Sequence, residues 1–304
     1  MKPNDALPIL LALIVSPLLF GVINRIKAMF AGRKGAPLLQ TYFDVIKLLG
    51  KGMVYGETVT PVFRLAPALV LVSVLLALSV IPWGPIPAPL SFGGDFILLA
   101  YLLGIARFFT VLGALDTGSS FEGMGASREV QFAALGEPTF MLGALLLAIH
   151  TGETSLSDMV RKIHFDAVSP DTAAVVLLVA AWMLLLLTEN SRIPVDDPNT
   201  HLELTMIHEV MLLDTGGPLL GICTYASGIK LWIFSALIAN LIVPTLNAGV
   251  VAQSALFVGI VLLIAVAVGV VESIMGRIRL RQIPKILVGS TALVATALIM
   301  TLVG

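Results

Sequence analysis

The chain has 304 residues, of which 58% are hydrophobic and 12% are charged, and its formal net charge is -1. A mean hydropathy of +1.00 lies far outside the range of soluble globular proteins, and the balanced charge gives no indication of nucleic-acid binding. The single cysteine, Cys223, excludes an intrachain disulfide, and four scattered histidines offer no metal or iron–sulfur site. We therefore expect an all-α polytopic membrane protein that forms one integral membrane domain over residues 1–304.

A transmembrane helix needs about 20 mostly apolar residues. Eight stretches of the sequence have this character: residues 7–23, 65–83, 96–115, 130–149, 172–188, 219–246, 252–271 and 286–303. The sequence therefore predicts eight transmembrane helices, with connections that alternate between the two sides of the membrane.

Lysine and arginine are distributed unevenly between these two sides. The loops 24–64, 116–129, 189–218 and 272–285 carry thirteen of these residues, whereas the termini and the other connections carry three. Cytoplasmic loops of membrane proteins are enriched in lysine and arginine. We therefore predict a protein of the cytoplasmic (inner) membrane, with the four basic loops in the cytoplasm and both termini outside.

The first basic loop contains a short amphipathic segment, RKGAPLLQTYFDVIKLLGKG, at residues 33–52. Its apolar residues Leu39, Phe43, Ile46 and Leu49 recur at helical spacing. This pattern predicts an interfacial helix parallel to the membrane. Such a helix serves either as a surface anchor or as a docking element for a partner.

Ionisable residues lie within or beside several predicted spans. These are Glu122 and Glu129 in the loop before the fourth span, Glu137 early in that span, Glu189 and Glu272 at the ends of the fifth and seventh, and Arg107 and Lys230 inside the third and sixth. A charge at membrane depth is costly and by default marks an ion path or a charge pair. For Glu189 and Glu272, hydration at the membrane boundary is an equally good explanation.

The most acidic part of the chain is ENSRIPVDDPNTHLELTMIHEVMLLD, at residues 189–214. Asp197 followed by Pro198 has the form of a helix N-cap and a first helical residue, so we predict a helix that runs to about Leu213. On this helix Glu203 faces apolar neighbours, opposite the stripe that carries both histidines of the segment.

The two histidines of the acidic segment, His201 and His208, are seven residues apart. On a straight helix this spacing corresponds to about 10 Å, which is too far for both side chains to bind one zinc ion. Hydration in a solvated loop would explain Asp196 and Asp197 well. It explains Glu203 and Glu209 less well, because they lie on a largely apolar helix.

Three segments together resemble a known family: residues 189–214, residues 33–52, and ARFFTVLGALDTGSSFEGMGASRE at residues 106–129. They are similar to the membrane subunit of group 4 membrane-bound nickel–iron hydrogenases, including formate hydrogenlyases, which is related to subunit 1 (the H subunit) of complex I. The resemblance implies a non-catalytic subunit that links a cytoplasmic redox arm to ion translocation in the membrane. It implies these partners: hydrogenase large and small subunits, an iron–sulfur subunit and antiporter-like membrane subunits. The nickel–iron centre and the iron–sulfur clusters would lie in those partners, with no cofactor in this chain.

Within the acidic segment, Arg192, Pro194 and Asp196 match the complex I pattern Arg-x-Pro-x-Asp, and Glu203 with Leu204 matches the last Glu-Leu of its acidic run. The sequence departs from complex I where Asn199 and His201 replace glutamates and where Val195 replaces phenylalanine. These departures favour the hydrogenase branch.

Candidate site residues follow from the charges and the resemblance together. The candidate ion-path or coupling residues are Arg107, Glu122, Glu129, Glu137, Glu189, Asp196, Glu203, Glu209, Lys230 and Glu272. The candidate partner-docking residues are Arg33, Lys34, Arg192, Asp197, His201 and His208. No catalytic residue is expected.

Three functions remain open at this point. The first is an energy-coupling subunit of a complex I-like hydrogenase that moves protons or sodium ions. The second is the quinone-site subunit of NADH:quinone oxidoreductase. The third is a passive membrane anchor, which requires the spans and a docking loop but no acids within the membrane.

Overall fold

The computed structural model describes residues 3–84, 86–163, 170–196, 206–243 and 250–303. Within these ranges the chain forms ten α-helices and two short 3₁₀ turns. The α-helices are α1 (Pro3–Phe30), α2 (Gln40–Leu49), α3 (Pro61–Val80), α4 (Asp95–Asp116), α5 (Ser120–Thr151), α6 (Leu156–Lys162), α7 (Pro170–Glu189), α8 (Gly217–Ile242), α9 (Val250–Ile274) and α10 (Ile283–Val303). The predicted all-helical fold class is confirmed.

Eight of the described helices are long and apolar enough to cross a membrane: α1, α3, α4, α5, α7, α8, α9 and α10. They coincide with the eight predicted spans, so the chain is a multi-pass membrane protein. Helix α1 continues to Phe30, beyond the predicted end at residue 23. Lys27 lies in its last turn, where a cation interacts favourably with the helix dipole.

Helix α8 is the central helix of the bundle. In α8, 67% of the spanning window is buried, the largest share among the described spans. It packs against α1, α2, α3, α7 and α9, while α5, α7 and α10 form a neighbouring group. The ring of Trp232 on α8 lies 5.4 Å from that of Trp83. A charged residue on this helix is therefore held inside the protein unless its side chain reaches an opening.

The described residues of four connections lie at one end of the bundle, which we call the basic end: residues 31–60, 117–119, 190–196 with 206–216, and 275–282. Two contacts join them in pairs. The Asp116 carboxylate accepts the Thr60 backbone N–H at 2.8 Å, which joins the end of α4 to the start of α3. The Ile278 backbone N–H donates to the Pro194 carbonyl at 3.1 Å, which joins two of the connections.

Helix α5 is longer than the sequence indicated. It begins at Ser120, so Glu122 and Glu129 lie within the helix and not in a loop that precedes the fourth span. The prediction of a loop over residues 116–129 is wrong for this reason. The loop was expected because the apolar run of the fourth span begins only at residue 130, but the charged residues before it each have a partner in the folded chain. A helix can accommodate charges that are compensated in this way.

The short helix α2 confirms the helix predicted in residues 33–52. It packs closely against α8. Gly221 of α8 lies so near to Leu48 that an added Cβ atom would be only 3.2 Å from the Leu48 Cβ atom. The Tyr42 hydroxyl donates to the backbone carbonyl of Ile14 in α1. Its apolar residues Phe43 and Ile46 remain exposed, as expected of an interfacial helix.

The predicted helix to Leu213 is only partly testable and is wrong where it can be tested. Residues 197–205, which include Asp197, His201 and Glu203, lie outside the described residues. The following residues 206–208 are not helical, and only Glu209–Leu212 form a 3₁₀ turn. The physical reason lies in Asp196, whose Oδ2 accepts the backbone N–H groups of residues 207 and 208 at 3.0 and 3.1 Å. The amides are thus bound by a side chain and not by helical carbonyls.

Candidate buried charge site

The connection between α7 and α8 is packed into the basic end. Buried residues come from both described limbs, among them Ser191, Arg192, Ile193, Val195, Asp196, Met206 and Ile207. Helix α7 ends at Glu189, whose carboxylate pairs with Lys230, 13 residues after the first residue of α8. At about 1.5 Å per residue, this ion pair lies roughly 20 Å along α8 from its first residue. The first turn of the connection therefore starts well inside the bundle, and its buried residues pack between the longer helices.

Five charged side chains form what we call the central charge cluster: Arg107 on α4, Glu129 and Glu137 on α5, Glu189 on α7 and Lys230 on α8. Arg107 is shared by three carboxylates. Its Nη2 lies 2.6 Å from Glu189 Oε1, its Nη1 lies 2.8 Å from Glu137 Oε1, and its Nε lies 3.6 Å from Glu129 Oε1. Lys230 Nζ lies 2.9 Å from Glu189 Oε2, in a second ion pair of the same carboxylate.

Burial makes the members of this cluster depend on one another. The side chains of Arg107 and Glu189 are only 9% and 7% exposed. Arg107 lies 12 residues after the start of α4 and nine before its end, so its charge sits near the middle of a span. A buried charge that loses its partner is strongly destabilising. The cluster holds two cations and three carboxylates, so one negative charge is in excess when all five groups are ionised.

A second group, which we call the loop charge cluster, lies nearer the basic end: Lys27, Arg192, Asp196, Glu272 and Arg277. Glu272 at the end of α9 lies 2.8 Å from Lys27 Nζ and 3.4 Å from Arg192 Nη1. Arg277 Nη2 lies 2.9 Å from Asp196 Oδ1. These pairs tie α1 and α9 to the buried connection and hold Asp196 in the orientation in which it binds the two amides.

A cavity of about 260 Å³ lies between the two clusters. Its lining includes Glu189 and Lys230 of the central cluster, Arg192 and Asp196 of the loop cluster, and Glu209. A water molecule occupies about 30 Å³ in the liquid, so a cavity of this size with polar walls has room for several waters. A polar cavity large enough for water thus lies between residues of the basic end and the buried ion pair.

His208 also lines this cavity. Burial and the nearby Lys230 charge lower the pKa of His208 from 6.5 to about 4. The imidazole is therefore neutral near pH 7, with one nitrogen available as an acceptor and the other as a donor.

Helix α5 holds the second limb of the connection in place. The fully buried Glu122 carboxylate accepts a hydrogen bond from Thr117 and another from the Asp214 backbone N–H at 2.9 Å. Arg128 Nη1 donates to the Met206 carbonyl at 2.9 Å. Between them, a Cβ atom on Gly125 would lie 2.3 Å from Val210 Cγ1 and 2.8 Å from the Ile207 carbonyl oxygen, so this close approach requires glycine.

The structure brings most of the predicted site residues into these groups. Arg107, Glu129, Glu137, Glu189 and Lys230 form the central cluster, Arg192, Asp196 and Glu272 belong to the loop cluster, and His208 and Glu209 line the cavity between them. Glu122 lies apart, in the contact between α5 and the connection. Arg33 and Lys34 are exposed after α1 and join neither cluster.

Sequence reasoning missed the partners of the loop cluster. Lys27 and Arg277 were counted only as basic loop residues, although they neutralise Glu272 and Asp196. The available signal was the arrangement of charges around the end of α9, where Glu272 is followed by Arg277. That arrangement did not indicate which basic residue pairs with which acid.

The NADH dehydrogenase family model matches residues 5–303. The chain belongs to the NADH dehydrogenase family. Formate hydrogenlyase subunit 4 of Escherichia coli is 32% identical over 289 residues, which cover 92% of each chain. Hydrogenase-4 component C of the same organism is 31% identical over 271 residues, covering 87% of this chain and 84% of the other.

Among solved structures, the fold of this NADH dehydrogenase family member is similar to a chain of the membrane-bound sulfane sulfur reductase, an archaeal respiratory membrane complex. The TM-score is 0.84, the sequence identity is 22%, and the match covers 98% of each chain. This similarity concerns the fold. Among the residues that the structure describes, no group of three histidine, cysteine or acidic side chains is placed to hold a metal ion.

Proposed function

We propose that this chain is the membrane subunit of a complex I-like hydrogenase complex. It anchors the cytoplasmic nickel–iron arm and couples the redox reaction of that arm to translocation of protons or sodium ions. Support comes from family membership over nearly the whole chain and from two relatives whose names are those of hydrogenase subunits. The nickel–iron centre and the iron–sulfur clusters belong to partner subunits, together with the antiporter-like membrane subunits.

The observation that carries the coupling proposal is the continuity of ionisable groups from the basic end to mid-span. Glu209, His208 and Glu189 line the cavity. Arg107 connects Glu189 with Glu137 through contacts of 2.6 and 2.8 Å. A redox change at the basic end could shift the charge in the cavity. That shift would alter how strongly each of the three carboxylates that share Arg107 is paired with it, and so which of them holds a proton. A passive anchor has no need for this costly arrangement.

Docking of the hydrogenase arm belongs to the basic end, which we place in the cytoplasm because of its lysine and arginine content. Arg33 and Lys34 are exposed there, beside α2. Asp197 and His201 belong to the same connection as the cavity, although they lie outside the described residues. A partner that binds this surface would therefore contact the connection whose two limbs hold the cavity residues.

Of the two other candidates, the quinone-site subunit of NADH:quinone oxidoreductase is the less well supported. A cavity of about 260 Å³ is smaller than typical ligand pockets of roughly 300–1,000 Å³. Several charged side chains contribute to its lining, which suits water and ions better than a hydrophobic ligand.

The test is Glu129→Gln in the assembled complex, reconstituted in vesicles. Hydrogen evolution and membrane potential are measured together. Glu129 makes only a 3.6 Å contact with Arg107, so the change preserves the shape of the cluster but removes one titratable group. We expect hydrogen evolution to continue while the potential formed per turnover falls, because loss of a proton-transfer group typically slows that step on the order of 10²-fold.

A matched control is Glu153→Gln. Glu153 pairs with Lys162 outside the spanning helices, where the two side chains are 34% and 55% exposed. An unchanged ratio of potential to turnover in Glu129→Gln would favour the passive anchor over the coupling subunit.

A further inference from the structure

We propose that the outward face of the first half of α5 is the contact surface for a transmembrane helix of another subunit, and that this helix presents a hydrogen-bond donor to Glu137. We call the surface the α5 face and define it by Ser127, Gln131, Ala134, Glu137 and Pro138. The proposal concerns assembly, and it holds whether or not the central charge cluster moves ions.

All five residues of the α5 face are exposed in the folded chain. At 100° per residue they lie within a strip about 120° wide on one side of the helix. Further along α5 the same strip carries Leu145 and Ile149, which are apolar and also exposed. Val130 also lies within this strip and is exposed. The outward side of α5 is therefore mixed before Pro138, where it carries Gln131 and Glu137 among small and apolar residues, and apolar after Pro138.

The α5 face lies at the depth of the membrane. Gln131 and Ala134 fall between Glu129 and Glu137, the two α5 residues that contact Arg107. Arg107 lies near the middle of α4. The polar part of the α5 face is consequently level with the middle of a neighbouring span and not with a membrane boundary.

The neighbouring helix α4 shows what an outward face suited to lipid looks like in this protein. Its exposed residues are all apolar or aromatic at corresponding depths: Ile97, Tyr101, Ile105, Phe108 and Leu115. Glu137, by contrast, exposes 62% of its side chain. A carboxylate turned toward hydrocarbon is costly, so two adjacent helices with such different outward faces do not share the same surroundings.

The charge of the central charge cluster and the small side chains of the α5 face indicate what kind of helix would bind there. The central charge cluster has one carboxylate in excess of its cations, and Glu137 is its most exposed member. Pro138 has no backbone N–H, so the carbonyl of Ala134 loses its helical donor on the same exposed side. Both groups are acceptors, and the small side chain of Ala134 allows a second helix to approach closely. A helix with a lysine, arginine or side-chain amide at this depth fits both requirements.

The experiment is photo-crosslinking in native membranes that contain the whole complex. A photoreactive phenylalanine analogue replaces Ala134, and in a matched control it replaces Ile105 on α4. Crosslinked peptides are identified by mass spectrometry. We expect position 134 to crosslink to a transmembrane segment of a different subunit that carries a basic or amide side chain, and position 105 to give only lipid adducts. Lipid adducts alone at position 134, or a crosslink to a second copy of this chain, would overturn the proposal.

A second pair of variants covers the case in which a bulky residue at position 134 prevents assembly. In Gln131→Cys and Ile105→Cys, the introduced thiols are labelled with a membrane-permeant maleimide. Both variants are labelled in the detergent-solubilised complex before and after its subunits are dissociated, so that each thiol is compared with itself and the slow reaction of thiols in apolar surroundings cancels. We expect Gln131→Cys to react at least about tenfold more slowly in the intact complex than after dissociation, since a packed helix would cover it, and Ile105→Cys to react at the same rate in both. A rate for Gln131→Cys that does not change on dissociation would contradict the proposal.

Discussion

Replacing Glu189 by glutamine removes the one carboxylate that contacts both cations of the central charge cluster. Its two oxygens lie 2.6 Å from Arg107 Nη2 and 2.9 Å from Lys230 Nζ, and the side chain is only 7% exposed. Glutamine preserves the size of the side chain but leaves Lys230 without its ion-pair partner in the cluster. Breaking a buried ion pair from one side costs about 3–5 kcal/mol. Arg107 keeps two other carboxylates, so we expect a loss of about 3 kcal/mol, at the lower end of that range.

The assay is the free energy of unfolding of the purified subunit in detergent micelles, titrated with sodium dodecyl sulfate. Glu153→Gln is the control, because its exposed pair with Lys162 should contribute no more than about 1 kcal/mol. Adding Lys230→Gln to Glu189→Gln should restore part of the loss, since neither charge is then left alone. If Glu189→Gln costs no more than Glu153→Gln, the central charge cluster is hydrated and its ion pairs do not depend on burial.

Three further predictions follow from the same region. The pKa of His208 is lowered from 6.5 to about 4, so the unfolded chain binds an extra proton between these values. The stability that the neutral imidazole contributes should be fully present above pH 6.5 and should decline as the pH falls toward 4. The measurement is the difference in unfolding free energy between the parent and His208→Gln, which should become smaller over this pH range. Gly125→Ala should destabilise the chain in thermal unfolding because its Cβ atom would meet Val210 at 2.3 Å, whereas Gly104→Ala, with open space around it, should not. Glu203→Gln should leave the complex assembled and lower the potential per hydrogen evolved in vesicles; a normal ratio would leave Glu203 as a structural residue.

The membrane spans were predictable because their signal is local. About 20 apolar residues in sequence are enough to identify a helix whose surroundings are lipid. Glu189, Arg107 and Lys230 were recognised as candidates for the same reason, since a charge inside an apolar run is conspicuous. How they pair was not predictable, because Arg107 and Glu189 are 82 residues apart and meet only through the packing of α4 and α7.

The errors arose where tertiary contacts override local preference. A loop was expected around Glu122 and Glu129, yet the partners that stabilise these acids within α5 come from other segments of the chain. A helix was expected up to Leu213, yet the Asp196 side chain binds amides that a helix would otherwise use. Patterns of charge and capping predict the conformation that a segment prefers in isolation. The conformation of the buried connection is instead determined by side chains that contact it from other parts of the chain.

The most direct test of the coupling proposal is the double variant Glu189→Gln/Lys230→Gln in the whole complex, reconstituted in vesicles. It removes one positive and one negative charge together, so the stability cost is smaller than that of either single change. Hydrogen evolution and membrane potential are recorded in the same vesicles. We expect hydrogen evolution to persist and the potential formed per hydrogen molecule to collapse. A potential per turnover equal to that of the parent complex would show that ions move without the central charge cluster, and would contradict the proposed coupling role.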